Sequence, residues 1–121
     1  MRYLLLVYTD EALLPGLMTP EAFERFEELG RELASEGRLQ MTAGLASVSS
    51  ATTVRVRSGQ AIVTDGPFAE TREQLGGFSL ALFDSEEAAL THAARVPTAV
   101  AGCVEVRPVV EFGDASDSGA A

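Results

Sequence analysis

Residues 2–8, Arg2-Tyr3-Leu4-Leu5-Leu6-Val7-Tyr8, form a short run that is apolar at both parities. As a strand it presents an apolar surface on both faces, and both need covering. The run resembles a secretory leader only superficially, because it breaks at Thr9-Asp10-Glu11 and lacks a small-residue cleavage site. No stretch approaches the roughly 18–20 apolar residues of a membrane span, so a cytoplasmic location is expected.

The rest of the chain supplies one side of the cover. After a loop with Pro15-Gly16 as its turn signal, Thr19-Pro20-Glu21 reads as N-cap, proline at the first helical position and first-turn acid. Ala22, Phe23, Phe26, Leu29, Gly30, Leu33 and Ala34 then recur at helical spacing, and Gly37 is the expected stop. Residues 39–46 read as a weaker strand. Thr52 to Arg57 and Gln60 to Thr64 flank Ser58-Gly59 as the two arms of a β-hairpin. A strand over residues 78–83 follows the loop segment 65–75 and Gly76-Gly77. Asp84 with Glu87 then reads as a capping box, and Leu90, Ala93, Ala94 and Val96 form the apolar stripe of a second helix. The last strand spans about 103–110, and residues 113–121 read as a disordered tail after a single domain over residues 1–112.

The order is β-α-β, hairpin, β-α-β, which predicts a ferredoxin-like α+β fold with an antiparallel sheet and both helices on one face. A second copy packed sheet against sheet covers the other face, so a homodimer is expected.

Charge narrows the function classes. Eighteen acidic residues face nine basic ones, all arginine, for a formal charge of −9. Such a surface repels phosphate backbones and anionic lipids, which argues against nucleic-acid and membrane partners. The single Cys103 and single His92 exclude an internal disulfide and a clustered soft-ligand metal site. No nicotinamide, flavin or metal motif is present, and no cofactor is expected. Gly76-Gly77 enters a strand rather than a helix and is not a phosphate cradle.

The segment Thr64-Asp65-Gly66-Pro67-Phe68-Ala69-Glu70-Thr71-Arg72-Glu73-Gln74-Leu75-Gly76-Gly77-Phe78 is more particular than generic loop chemistry. It resembles the hallmark of the YCII-related proteins, in the branch named for its Asp-Gly-Pro-Phe motif. The likeness extends to Tyr3 through Tyr8 with Asp10-Glu11, to Thr52-Thr53-Val54-Arg55 and to Glu105-Val106-Arg107-Pro108. It implies a dimeric α+β barrel. For function it implies less: some relatives look like small lyases or dehalogenating enzymes, others like partners of extracytoplasmic-function sigma factors. The broader group pairs a histidine with an aspartate, whereas His92 sits in the second helix and does not match that position, which argues against histidine-based catalysis here.

Chemistry supplies the candidates. Asp65-Gly66-Pro67 is turn chemistry, but Glu70, Thr71, Arg72 and Glu73 form a dense polar stretch whose acids could share Arg72 or perturb one another. Asp65, Glu70 and Glu73 are therefore the candidate proton-transfer residues; the competing reading is a solvated loop held by an ion pair. In the last strand Glu105 and Arg107 share one parity with Cys103, so Arg107 is a candidate anion clamp or, alternatively, half of an interface salt bridge. Tyr8, Asp10, Thr71, Arg72 and Arg107 are the candidate substrate contacts. Two readings follow: a cofactor-free lyase, isomerase or dehalogenase acting on a small organic acid in the barrel, or a non-catalytic ligand-binding or regulatory module.

Overall fold

The computed structural model describes residues 1–112; the expected disordered tail lies outside the described residues. β1 (Arg2–Thr9) occupies an interior place in a four-stranded sheet of order β2-β5-β1-β6, with β2 at Leu39–Gly44, β5 at Gln74–Leu82 and β6 at Cys103–Pro108. All three pairings are antiparallel, which is the ferredoxin-like α+β arrangement read from the element order. Residues opposite one another in an antiparallel pair share a face. Tyr3 lies opposite Ala81, and Leu5 opposite Ser79 and Val106, so these side chains form the inner face of the sheet.

Two helices cover that face. Tyr3, Leu5 and Ala81 pack with Leu33 of α2 (Pro20–Ser35) and with Ala89 and Ala93 of α3 (Glu86–Ala93). Phe83 closes the cluster, its ring meeting Tyr3 edge-on at a centroid distance of 6.2 Å. The start and stop of α2 follow the sequence: Thr19 Oγ1 accepts from the Ala22 N–H, and Gly37 takes φ +73°. The Gly37 and Arg38 N–H groups then donate to the carbonyls of Ala34 and Leu33, a complete Schellman closure.

α3 begins one residue later than the capping-box pattern implied. Ser85, in extended conformation, is the cap and accepts from the Ala88 N–H, while Asp84 leaves the helix to bind the Arg38 guanidinium. The buried stripe also differs from the one expected. Ala89 and Ala93 face the sheet, and Leu90 is left 49% exposed.

Four further parts of the chain differ from expectation. The loop after β1 contains a 3-10 turn at Glu11–Leu13 and a one-turn helix, α1 (Leu14–Leu17), in which Pro15 takes an early position that needs no N–H donor. β5 starts at Gln74, so Gly76-Gly77 lies inside a strand. There the register with β1 slips between Val7 and Tyr8, leaving Gly76 as the extra residue of a bulge. β2 and β6 each end two residues earlier than expected.

β3 (Thr52–Arg57) and β4 (Gln60–Asp65) pair as a separate two-stranded sheet. Ser58 and Gly59 both adopt positive φ, as a two-residue hairpin turn of the primed type requires. Thr53 Oγ1 donates to the Gly66 carbonyl and Arg55 to that of Phe68, which fastens β3 to the segment that leaves β4.

The outer face of the main sheet carries Leu4, Leu6, Phe78 and Leu80, all part-exposed. Both helices lie on the other side.

Two glycines should respond oppositely to substitution. A Cβ on Gly102 would sit 2.2 Å from the Tyr8 carbonyl oxygen, whereas one on Gly30, in mid-α2, meets nothing within 4 Å. Gly102→Ala should destabilise by about 1–3 kcal/mol through forced overpacking. Gly30→Ala should stabilise by about 0.5–1 kcal/mol through helix propensity. Urea unfolding midpoints of the two variants check both signs.

Candidate functional site

The bulge in β5, the 10–18 segment and the first half of α2 leave a cleft between sheet and helix. Its volume is about 470 Å³. Val7, Gly77 and Ser79 contribute from the sheet, Leu14 and Met18 from the 10–18 segment, and Phe26 from α2. Gly44, Gly76 and Gly77 bring backbone only to this wall, so part of the space that side chains would fill stays empty.

Polar groups are few. Glu11 is fixed: its two carboxylate oxygens accept from Ser47 Oγ at 2.8 Å and from the Val48 N–H at 2.9 Å. Gln74 bridges Glu11 and Thr71, accepting from one backbone N–H and donating to the other residue's carbonyl. Thr42 Oγ1 and Ser79 Oγ lie 3.0 Å apart. Thr98, in the 3-10 turn Pro97–Val100, is 2% exposed, and its hydroxyl has no hydrogen-bond partner among the described residues. A buried hydroxyl left unpaired is uncommon and costly. No arginine or histidine lines the cleft.

A second group of polar residues lies on the outer face. Cys103, Glu105 and Arg107 stand on one face of β6, opposite Tyr8, Leu6 and Leu4 of β1. The Tyr8 hydroxyl donates to Glu105 Oε1 at 3.2 Å, and Arg107 Nη1 lies 3.8 Å from Glu105 Oε2. Glu73 Oε1 accepts from the Cys103 thiol at 3.6 Å. Burial raises the Tyr8 pKa, and the bond to Glu105 adds to the shift. Cys103 is likewise pushed up, first by burial and then by Glu73, so its thiol is poorly suited to act as a thiolate nucleophile.

Of the residues singled out from sequence, Tyr8, Glu73 and Arg107 thus come to one sheet face, with Glu105 and Cys103 beside them. The others do not join them. Asp65 ends β4 opposite Thr52 and is exposed. Asp10 caps the 3-10 turn through its Oδ1 bond to the Ala12 N–H. Thr71 donates to the Glu73 carbonyl. Glu70 and Arg72 are exposed, and among the described residues neither takes part in an ion pair. Within Asp65-Gly66-Pro67-Phe68, Gly66 adopts φ +97° and donates to the Ala51 carbonyl, which makes this turn the anchor of the hairpin. Neither Asp65 nor Glu73 lines the cleft. His92 packs against the Phe83 ring at 5.6 Å; burial, and then Arg95, lower its pKa against the opposing pull of Glu32 and Glu36.

Sequence reasoning passed over the cleft entirely. Its wall is assembled from residues far apart in the chain, and Gly76-Gly77 was the one local signal that the sheet is irregular there.

Residues 1–113 match the YCII-related domain. The chain is also 37% identical over 117 residues to an uncharacterized protein of Rhizobium meliloti (strain 1021), covering 93% of this chain and 94% of that one.

The Tyr8 shift is directly measurable. Glu105→Ala removes the hydrogen bond and the negative charge while leaving much of the burial, so the phenol pKa should fall toward its ordinary value near 10. Because a raised pKa favours the neutral ring in the folded state, stability should be retained below about pH 10 and lost as pH rises through the folded value. Ultraviolet titration of phenolate absorbance, with Tyr8→Phe to assign the signal, reads the shift.

Proposed function

The chain belongs to the YCII-related family, and from that premise we propose that it is a small-molecule binding protein whose ligand occupies the cleft between α2 and the sheet. The observation that carries this reading is the cleft itself, about 470 Å³ with largely apolar walls and a few convergent polar groups. Those are the volume and lining typical of small-molecule sites, which run to roughly 300–1,000 Å³. The polar groups there suit recognition better than proton transfer. Glu11 has both oxygens engaged, and the remaining groups are hydroxyls and a carboxamide.

The outer face belongs to the same proposal as an assembly surface. Leu4, Leu6, Phe78 and Leu80 are the apolar layer that a second copy would cover, giving a dimeric α+β barrel. The Asp65-Gly66-Pro67-Phe68 turn supports placement in the branch with that motif. A regulatory role beside a sigma factor would suit a ligand-binding module. One observation favours a second, catalytic reading: Tyr8, Glu105, Arg107 and Glu73 share the outer face and would be enclosed by such a dimer, where acid/base chemistry on a small organic acid becomes feasible.

Two variants separate the sites. Met18→Trp fills the cleft from its roof, and Arg107→Ala removes the outer-face cation. Ligand-observed NMR with a panel of aromatic fragments should show binding to wild type and to Arg107→Ala, and loss of binding in Met18→Trp protein that melts normally. Binding that survives in Met18→Trp and disappears in Arg107→Ala would transfer the site to the outer face. Light scattering should give about twice the monomer mass of 12.8 kDa; a monomer at micromolar concentration overturns the assembly.

A further inference from the structure

Resting on the cleft as the binding site, we infer that its ligand is an uncharged, largely apolar molecule of fused-ring size whose single hydroxyl or carbonyl pairs with the Thr98 hydroxyl. Thr98 Oγ1 is the one described side-chain polar atom that is fully buried without a partner. An unpaired hydroxyl in a protein interior sacrifices the hydrogen bond it made to water in the unfolded chain. A ligand that supplies that bond therefore gains what the protein alone leaves unmade. Thr98 Oγ1 is itself shut off from the cleft, and pairing with the ligand requires a turn of about 120° around χ1 that carries the hydroxyl into another staggered position on Cβ, toward the space Thr98 lines.

Charge is excluded by the same walls. An anion in the cleft would meet no arginine or histidine, and the carboxylate present there, Glu11, repels it. A cation would meet a single carboxylate, Glu11, whose oxygens already accept from Ser47 Oγ and the Val48 N–H and offer it only their remaining lone pairs. Burial of an unpaired charge costs far more than burial of a hydroxyl. The apolar groups Val7, Leu14, Met18, Phe23 and Phe26 instead favour a flat hydrocarbon body, with Met18 offering an adaptable sulfur contact to an aromatic ring.

Four matched probes test the inference: naphthalene, 2-naphthol, 2-naphthoate and 2-(aminomethyl)naphthalene. Their dissociation constants are measured by fluorescence and by thermal shift on wild type, Thr98→Val and Thr98→Ser. The expected order places 2-naphthol about 5- to 10-fold tighter than naphthalene, the worth of one hydrogen bond, with both charged probes weaker than naphthalene. Thr98→Val should remove the advantage of 2-naphthol and leave naphthalene binding unchanged, while Thr98→Ser keeps the advantage. Equal binding of naphthalene and 2-naphthol to wild type, an advantage that persists in Thr98→Val, or tighter binding of either charged probe overturns the inference while leaving the cleft as a binding site. Absence of binding by all four overturns the cleft reading as well.

Discussion

The structure depends on a strand, β1, that is hydrogen-bonded along both edges and apolar on both faces. Tyr3 and Leu5 on one face are almost wholly excluded from water by α2 and α3, and the hydrophobic gain of that burial fixes the helices to the sheet. Leu4 and Leu6 on the other face have no comparable cover and stay part-exposed. The inner face therefore organises the monomer, and the outer face is where further burial is still to be gained. Helices with small contact residues fit closely on the inner side: Ala89 and Ala93 let α3 lie against Tyr3 and Phe83 without displacing either ring.

The cleft arises where that cover is incomplete. α3 and the second half of α2 are drawn down by Leu33, Ala89 and Ala93, but near the start of α2 the sheet offers Gly77 and a bulge instead of large side chains. The first half of α2 and the 10–18 segment span the gap, held by Glu11 to the Val48–Ser50 turn. The binding space is thus a consequence of strand irregularity, and its polar groups come from both sources, Glu11 and Thr98 from turns and Thr42, Gln74 and Ser79 from the strands.

Local signals were legible wherever one residue type has one physical use. Thr19-Pro20-Glu21, Gly37 and Ser58-Gly59 mark a cap, a stop and a hairpin turn, and each occupies the conformation its chemistry demands. Parity in β6 was equally plain, and it brought Glu105 and Arg107 to one face with Tyr8 opposite Cys103. Ambiguity entered where two adjacent residues offer the same chemistry. Asp84 and Ser85 are both good caps, and the claim of Arg38 on Asp84 left the helix to Ser85. Gly76-Gly77 suits a turn and a bulge alike, and only pairing with β1 decides between them. The polar stretch 70–73 suggested a proton-transfer cluster because neighbouring acids look coupled in sequence; in three dimensions Glu73 turns to Cys103 while Glu70 and Arg72 point to solvent. Thr98 carried no sequence signal, since its lack of a partner is a property of the packed interior.

Two faces of one sheet therefore carry two different chemistries, an apolar cleft with an unpaired hydroxyl and a polar strip centred on Glu105. Backbone amide NMR of the labelled protein titrated with 2-naphthol distinguishes them most directly. Occupation of the cleft predicts the largest saturable shifts at Phe26, Gly77 and Thr98, with little change along β6. Shifts concentrated at Cys103, Glu105 and Arg107, with Thr98 unmoved, would contradict it and place the ligand on the outer face.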